Sequence, residues 1–151
     1  MRHRNEALLV VIDGKGGGLG AALISRIRER LPVPCAVRLV ALGTNSSATT
    51  AMLRAGADDA ATGENAIVHM SASADLIIGP LAIVASGSML GEISARMAQA
   101  VAESPAPKLL VPTERCGIMV AGVTPGPQRL LLDEVAERVA VWLGGQATGE
   151  P

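Results

Sequence analysis

Aromatic side chains are nearly missing from this chain, which has no tyrosine, no phenylalanine and one tryptophan among 151 residues. Without a tyrosine there is no Tyr-x-x-x-Lys pair, so short-chain-dehydrogenase chemistry is excluded. The same lack removes the stacking platforms on which proteins hold single-stranded nucleic acid. Charge is sparse as well: 18% of residues are charged, against about 25% in an ordinary domain. The 13 basic and 14 acidic residues leave a net charge of −1, which offers no electrostatic footprint for nucleic acid. Low charge combined with 49% hydrophobic residues excludes disorder, which needs the opposite balance.

Cys35 and Cys116 form no CxxC pair and have only His3 and His69 as companions, so no metal site is expected. The longest uncharged stretch, Leu76 to Gly91, is interrupted by Gly79, Pro80, Ser86, Gly87 and Ser88. A spanning helix needs about 20 mostly apolar residues, and no membrane partner is expected. Met1-Arg2-His3-Arg4 before Ala7–Ile12 imitates the opening of a signal peptide. Asp13 and a glycine cluster follow where a cleavage site should be, so the run reads as a first strand. Two lone thiols in a chain without a signal indicate the cytoplasm.

Hydrophobic patterning then sets the architecture. Ala7–Ile12 and Val37–Leu42 are continuous apolar runs of the kind buried on both faces of a parallel sheet. Between them Leu19, Leu23, Ile24, Ile27 and Leu31 recur at helical spacing, and Pro32 and Pro34 stop the helix. Ser46 or Ser47 can cap a short helix through Leu53. Ala57–Ala61 reads as a short edge strand or a loop, and Glu64–Met70 as a turn or two of helix. Leu76-Ile77-Ile78 is a strand. The stripe Met89, Ile93, Met97, Val101 predicts a helix to about Glu103. Lys108–Val111 and Ile118–Val123 read as two more strands. They are too close in sequence for a parallel crossover, so an antiparallel pair is expected. A last helix carries Leu131, Val135, Val139 and Trp142 inward. The expectation is one three-layer α/β, Rossmann-like domain over residues 1–143, mostly parallel with an antiparallel element near its end, and a flexible tail over 144–151.

Gly14-Lys15-Gly16-Gly17-Gly18-Leu19-Gly20 joins the first strand to the first helix. In open α/β sheets this turn is the phosphate site, because unpaired N–H groups and the helix dipole meet an anion there. Gly16, Gly18 and Ala21 fit G-x-G-x-x-A, the dinucleotide fingerprint, while Gly14, Gly18 and Gly20 fit G-x-x-x-G-x-G. No Gly-Lys-Thr follows, which removes a P-loop. The acid expected about 20 residues on, at the end of the second strand, is missing, because Gly43-Thr44-Asn45-Ser46 stands there. Candidate ligand contacts are therefore Asp13, Gly14, Lys15, Gly16, Gly17, Gly18, Leu19, Gly20, Gly43, Thr44, Asn45 and Ser46, with Gly79 and Pro80 at the end of the fourth strand. Asp13 reads best as a cap for loop amides. NAD(P) or another adenine nucleotide fits the pattern.

Reactive candidates are few. Cys116 follows a strand beside Arg115, a cation of the kind that activates thiols. Glu64 and Glu92 fall near the carboxyl edge, where either could act as a base or simply favour a helix dipole. Three readings follow: a nucleotide- or phosphate-binding module, an enzyme on a small phosphorylated or carboxylated metabolite using Cys116, Glu64 or Glu92, and a scaffold with a purely structural glycine loop. The low charge suggests a homodimer, with the Met89–Val101 stripe and Leu130, Leu132 and Trp142 as its contact surface.

Several blocks together resemble a family of small bacterial proteins of unknown function, common among anaerobes. They are Val11–Gly14, Gly16–Gly20, Ala41–Asn45, Ala55–Ala57, Thr62–Ile67, Ser88–Ile93 and Arg115-Cys116. Lys15 and Thr113-Glu114 depart from its pattern. The resemblance spans Leu8 to Val123 and implies a Rossmann-like, cytoplasmic protein. It supplies no reaction, cofactor or catalytic residue.

Overall fold

A computed structural model describes residues 6–31, 35–113, 116–124 and 126–148. Its centre is a five-stranded sheet in the order β3-β2-β1-β4-β5, with β1 at Ala7–Asp13, β2 at Val37–Gly43, β3 at Asp59–Thr62, β4 at Leu76–Pro80 and β5 at Lys108–Val111. Every pairing in it is parallel. Burial on both faces explains the unbroken apolar runs. Leu9 and Val11 of β1 face one core with Leu23, Ile24 and Ile27, while Val10 and Ile12 face the other with Ile67, Met97 and Val101.

Helices α1 (Gly18–Arg30), α2 (Ser46–Arg54) and α5 (Gln128–Thr148) cover the first face, and α3 (Glu64–Ser71) and α4 (Ala95–Glu103) cover the second. Helix α1 ends at Arg30, and Pro32 and Pro34 lie outside the described residues. The cap of α2 is Asn45, whose side chain accepts the Ala48 amide at 2.9 Å, rather than Ser46 or Ser47.

Three expectations are corrected. Ile118–Val123 is not a strand, and the sheet has no antiparallel member among the described residues. Gly117 and Gly122 sit at φ 71° and 81°, left-handed conformations that interrupt an extended backbone. The stretch instead leaves Ile118, Met119, Val120 and Val123 exposed. Second, no helix begins at Met89. Met89 and Leu90 have φ 56° and 57° and Gly87 and Gly91 are also positive, so the chain makes a short 3₁₀ turn there. Helix α4 starts only after Ser94, whose hydroxyl accepts the Met97 amide at 3.1 Å. The apolar stripe is real but inward, for Ile93, Met97 and Val101 are buried in the second core and cannot form a dimer surface. Leu132 and Trp142 likewise pack against the first core, while Leu130 is exposed. Third, α5 runs through Gly144 and Gly145 to Thr148, five residues into the segment expected to be a tail. The anchorage of Val135, Ala136 and Val139 in the core outweighs the roughly 1 kcal/mol that each helical glycine costs.

The strand order turns back at β1 and β4, since β2 and β3 lie to one side and β5 to the other. Such a switch point opens a crevice beyond the carboxyl ends of the two strands. Gly79 makes their close approach possible, because a Cβ there would lie 2.5 Å from the Ile12 carbonyl oxygen. Gly79→Ala is therefore expected to lower stability by about 1–3 kcal/mol through overpacking, measured by urea denaturation. An unchanged midpoint would mean that β4 does not press on β1 at this point.

Candidate functional site

The crevice is built from the loop after β1, the end of β2 and the segment after β4. Asp13, the last residue of β1, is 5% exposed. Its Oδ1 accepts the Gly14 amide at 2.8 Å and its Oδ2 accepts the Gly20 amide at 2.7 Å. The carboxylate is thus committed to the loop, satisfying one of the unpaired donors in the first turn of α1. Burial pushes the Asp13 carboxyl above its ordinary range, the two amides pull it back, and the charge of Glu92 adds to the rise.

The loop glycines divide by what requires them. Gly17 has φ 71°, and Gly14 and Gly20 have no room for a Cβ, which would meet Glu92 and Met89 at the first and Met52 and Asp13 at the second. Gly16 and Gly18 differ. Their φ is not positive, both are exposed, and a Cβ on either would have nothing within 4 Å. Among the described residues the amides of Gly16, Gly18 and Leu19 have no hydrogen-bond partner, since the first turn bond of α1 is from Ala21 to the Gly17 carbonyl. Bare backbone donors therefore border open space at the N-terminus of a helix.

Glu92 arrives from the far side. Its Oε2 accepts the Lys15 amide at 2.6 Å and the Thr44 hydroxyl at 2.8 Å, and its Oε1 accepts the Asn45 side-chain amide at 3.1 Å. Asn45 also donates to the Lys15 carbonyl at 2.9 Å. The Lys15 amide holds the Glu92 carboxyl below its usual range, with Thr44 and Asn45 contributing in the same direction against some desolvation.

Asp13, Gly14, Lys15, Thr44, Asn45 and Glu92 are therefore brought together by direct hydrogen bonds, with Gly16, Gly18 and Leu19 adjoining them. Ser46 is exposed at the start of α2. Gly43 and Pro80 are buried within strands, as Gly79 is. The two other reactive candidates do not join Glu92. The Glu64 carboxylate accepts the Ser94 hydroxyl at 2.6 Å and pairs with Arg96 at 3.5 Å. The Cys116 thiol donates to the Thr113 carbonyl at 3.3 Å, three residues before it in the chain. Glu114 and Arg115 lie outside the described residues. Met89 went unforeseen, although its sulfur stands over Gly14; the flanking Gly87 and Gly91 were the signal that this segment is a loop. No group of three or more potential metal ligands occurs among the described residues, and no described helix is long and apolar enough to cross a membrane.

An open parallel sheet with a glycine loop at its switch point defines a Rossmann-like α/β protein. The chain belongs to a family described as a domain of unknown function, DUF3842, which matches residues 8–143. No curated protein matches it. Among solved structures it is similar to a dodecameric FMN-dependent Ubix-like decarboxylase from Escherichia coli O157:H7, at 21% identity and a TM-score of 0.50 over 91% of this chain and 94% of that one. It is also similar to AibC, at 16% identity and a TM-score of 0.43 over 91% of this chain and 40% of the other. At these identities the likeness shows the fold alone.

The depressed Glu92 carboxyl has a consequence for acid stability. The native state binds fewer protons there than the unfolded chain, so this contribution is present above the ordinary glutamate value of about 4.3 and is lost as pH falls through the depressed one. Removing the charge also relieves Asp13, which offsets part of the loss. Glu92→Gln is expected to cost about 1 kcal/mol or less at pH 7, as for a largely solvated charge, and less at pH 3. Urea melts of both proteins at the two pH values check this. A difference that grows in acid would reverse the assigned sign.

Proposed function

We propose that the protein binds a phosphorylated small ligand, a nucleotide, with its phosphate on the amides of Gly16, Gly18 and Leu19. The observation that carries this reading is the pair Gly16 and Gly18. Neither backbone conformation nor packing within the chain calls for glycine there, whereas an anion drawn against the backbone does. A purely structural loop accounts for Gly14, Gly17 and Gly20 but leaves these two without a reason. Candidate ligands are NAD(P), another adenine nucleotide, and FMN, on which the fold neighbour depends. With no phenylalanine or tyrosine in the chain, the base would rest on aliphatic side chains such as Met89. The reading as an enzyme on a small metabolite has less support, because only Glu92 of its three candidates reaches the loop.

We also propose that the protein self-associates, through a different surface from the one the sequence suggested. Ile118, Met119, Val120 and Val123 form an uncharged run with all four side chains exposed. A cleft of about 420 Å³ between β5 and α5 is lined by Leu76, Leu109, Val141 and Trp142 among others. A second copy could fill it with its own run, and reciprocal exchange would close a dimer. The fold neighbour's dodecameric assembly is in keeping with an associating fold.

Titration calorimetry with AMP, NAD, NADP and FMN tests the first proposal. At least one is expected to bind, and Gly18→Val is expected to abolish binding with an unchanged melting temperature, because its side chain would enter open space. Silence across the panel, or full binding by the variant, refutes it. For the second, light scattering at micromolar concentration should give more than one chain's mass. Met119→Asp should restore the monomer without loss of stability, since Met119 is 96% exposed. A monomer before substitution ends the proposal.

A further inference from the structure

The dinucleotide fold expects an acid at the end of β2 to receive the ribose 2′-hydroxyl, and this chain has Thr44 and Asn45 there instead. The structure brings a carboxylate to that place from another segment. Glu92, after β4, bonds to the side chains of both Thr44 and Asn45 while resting on the Lys15 amide of the glycine loop. We propose that Glu92 is the ribose acceptor of the site, so that it takes a ribonucleotide with a free 2′-hydroxyl and rejects one phosphorylated at that position. This rests on the reading of the glycine loop as the phosphate site.

Several observations converge on it. An ionised carboxylate can accept about four hydrogen bonds. The bonds from Lys15 and Thr44 use Oε2 and that from Asn45 uses part of Oε1, which leaves Oε1 an acceptor position for a hydroxyl. Thr44 and Asn45 fix the group rather than neutralise it, so its negative charge opposes a 2′-phosphate. Lys15 of the glycine loop is the cation that acts on Glu92, while Arg96 is paired with Glu64. The residues that carry Glu92 into place are also strained, with Met89 and Leu90 both left-handed and Leu90 95% exposed. Left-handed conformations cost roughly 1–2 kcal/mol for side chains of this kind, and such strain gathers at ligand sites. Glu92 holds the strained segment against the loop.

The test compares adenosine 5′-monophosphate, its 2′-deoxy analogue and adenosine 2′,5′-bisphosphate by calorimetry on the full chain and on Glu92→Gln. The parent protein should bind the monophosphate about tenfold or more tightly than the deoxy analogue, the worth of one hydrogen bond to a charged acceptor, and the bisphosphate more weakly than the monophosphate. In Glu92→Gln the preference for the 2′-hydroxyl, read as the ratio of the two affinities within the variant, should shrink to about twofold or less. If that variant does not fold, the parent ratios and Glu92→Asp, whose shorter reach should lower the ratio, decide the matter. Equal binding of the ribose and deoxyribose forms overturns the proposal, as does a preference that survives in Glu92→Gln. If FMN binds and adenosine monophosphate does not, the ribose assignment fails while the phosphate site stands. If no nucleotide binds, both fail together.

Discussion

The buried carboxylate of Asp13 is the fixed point of this molecule. One of its oxygens holds the first amide of the glycine loop and the other holds an amide in the first turn of α1, so strand, loop and helix meet on a single side chain. Burying a charge is costly unless hydrogen bonds replace its water, and here two amides do so. The same arrangement fills the anion-seeking position at Gly20, and among the described residues the neighbouring amides of Gly16, Gly18 and Leu19 are unmet. A loop that supplied every donor to its own aspartate would have no capacity for a ligand.

Opposite this fixed point stands a second carboxylate with the reverse character. Asp13 is buried and raised toward protonation, while Glu92 is more exposed and held ionised by donors from two segments. The charge of Glu92 adds to the cost of ionising Asp13. On the proposed reading an anion sits on the amide side, toward Gly16 and Gly18, and hydroxyl groups on the Glu92 side. The site therefore has a polarity of its own, which the glycine motif alone does not convey.

Much of this was legible in the sequence because it rests on local pattern. The double-faced burial of β1 follows from the run Leu8–Ile12, and the strand–glycine–helix unit follows from its spacing. The failures have physical causes. The i, i+4 stripe at Met89, Ile93, Met97 and Val101 is a true inward face, yet it extends back into a loop, because periodicity records burial and not backbone conformation. Ile118–Val123 has the composition of a strand, but Gly117 and Gly122 break its extension. Glu92 was visible as an acid near the carboxyl edge, whereas its partners 77 and 48 residues away depend on strand order, which no local window contains.

Strand β1 is apolar toward both cores, which deprives the sheet of the usual safeguard against misalignment. A strand with one polar face betrays a one-residue slip by turning its charges inward. Here Leu9 and Val11 could trade places with Val10 and Ile12 at little hydrophobic cost. Asp13 helps to fix the alignment through its bonds to Gly14 and Gly20, and so does a residue without a side chain, Gly79 under the Ile12 carbonyl. A shift by one position would drive Ile78 or Pro80 into that carbonyl. Gly79, which shapes the mouth of the crevice, thus also serves as a keying tooth between β4 and β1, and a substitution that reshapes the crevice there acts on the alignment of the two strands.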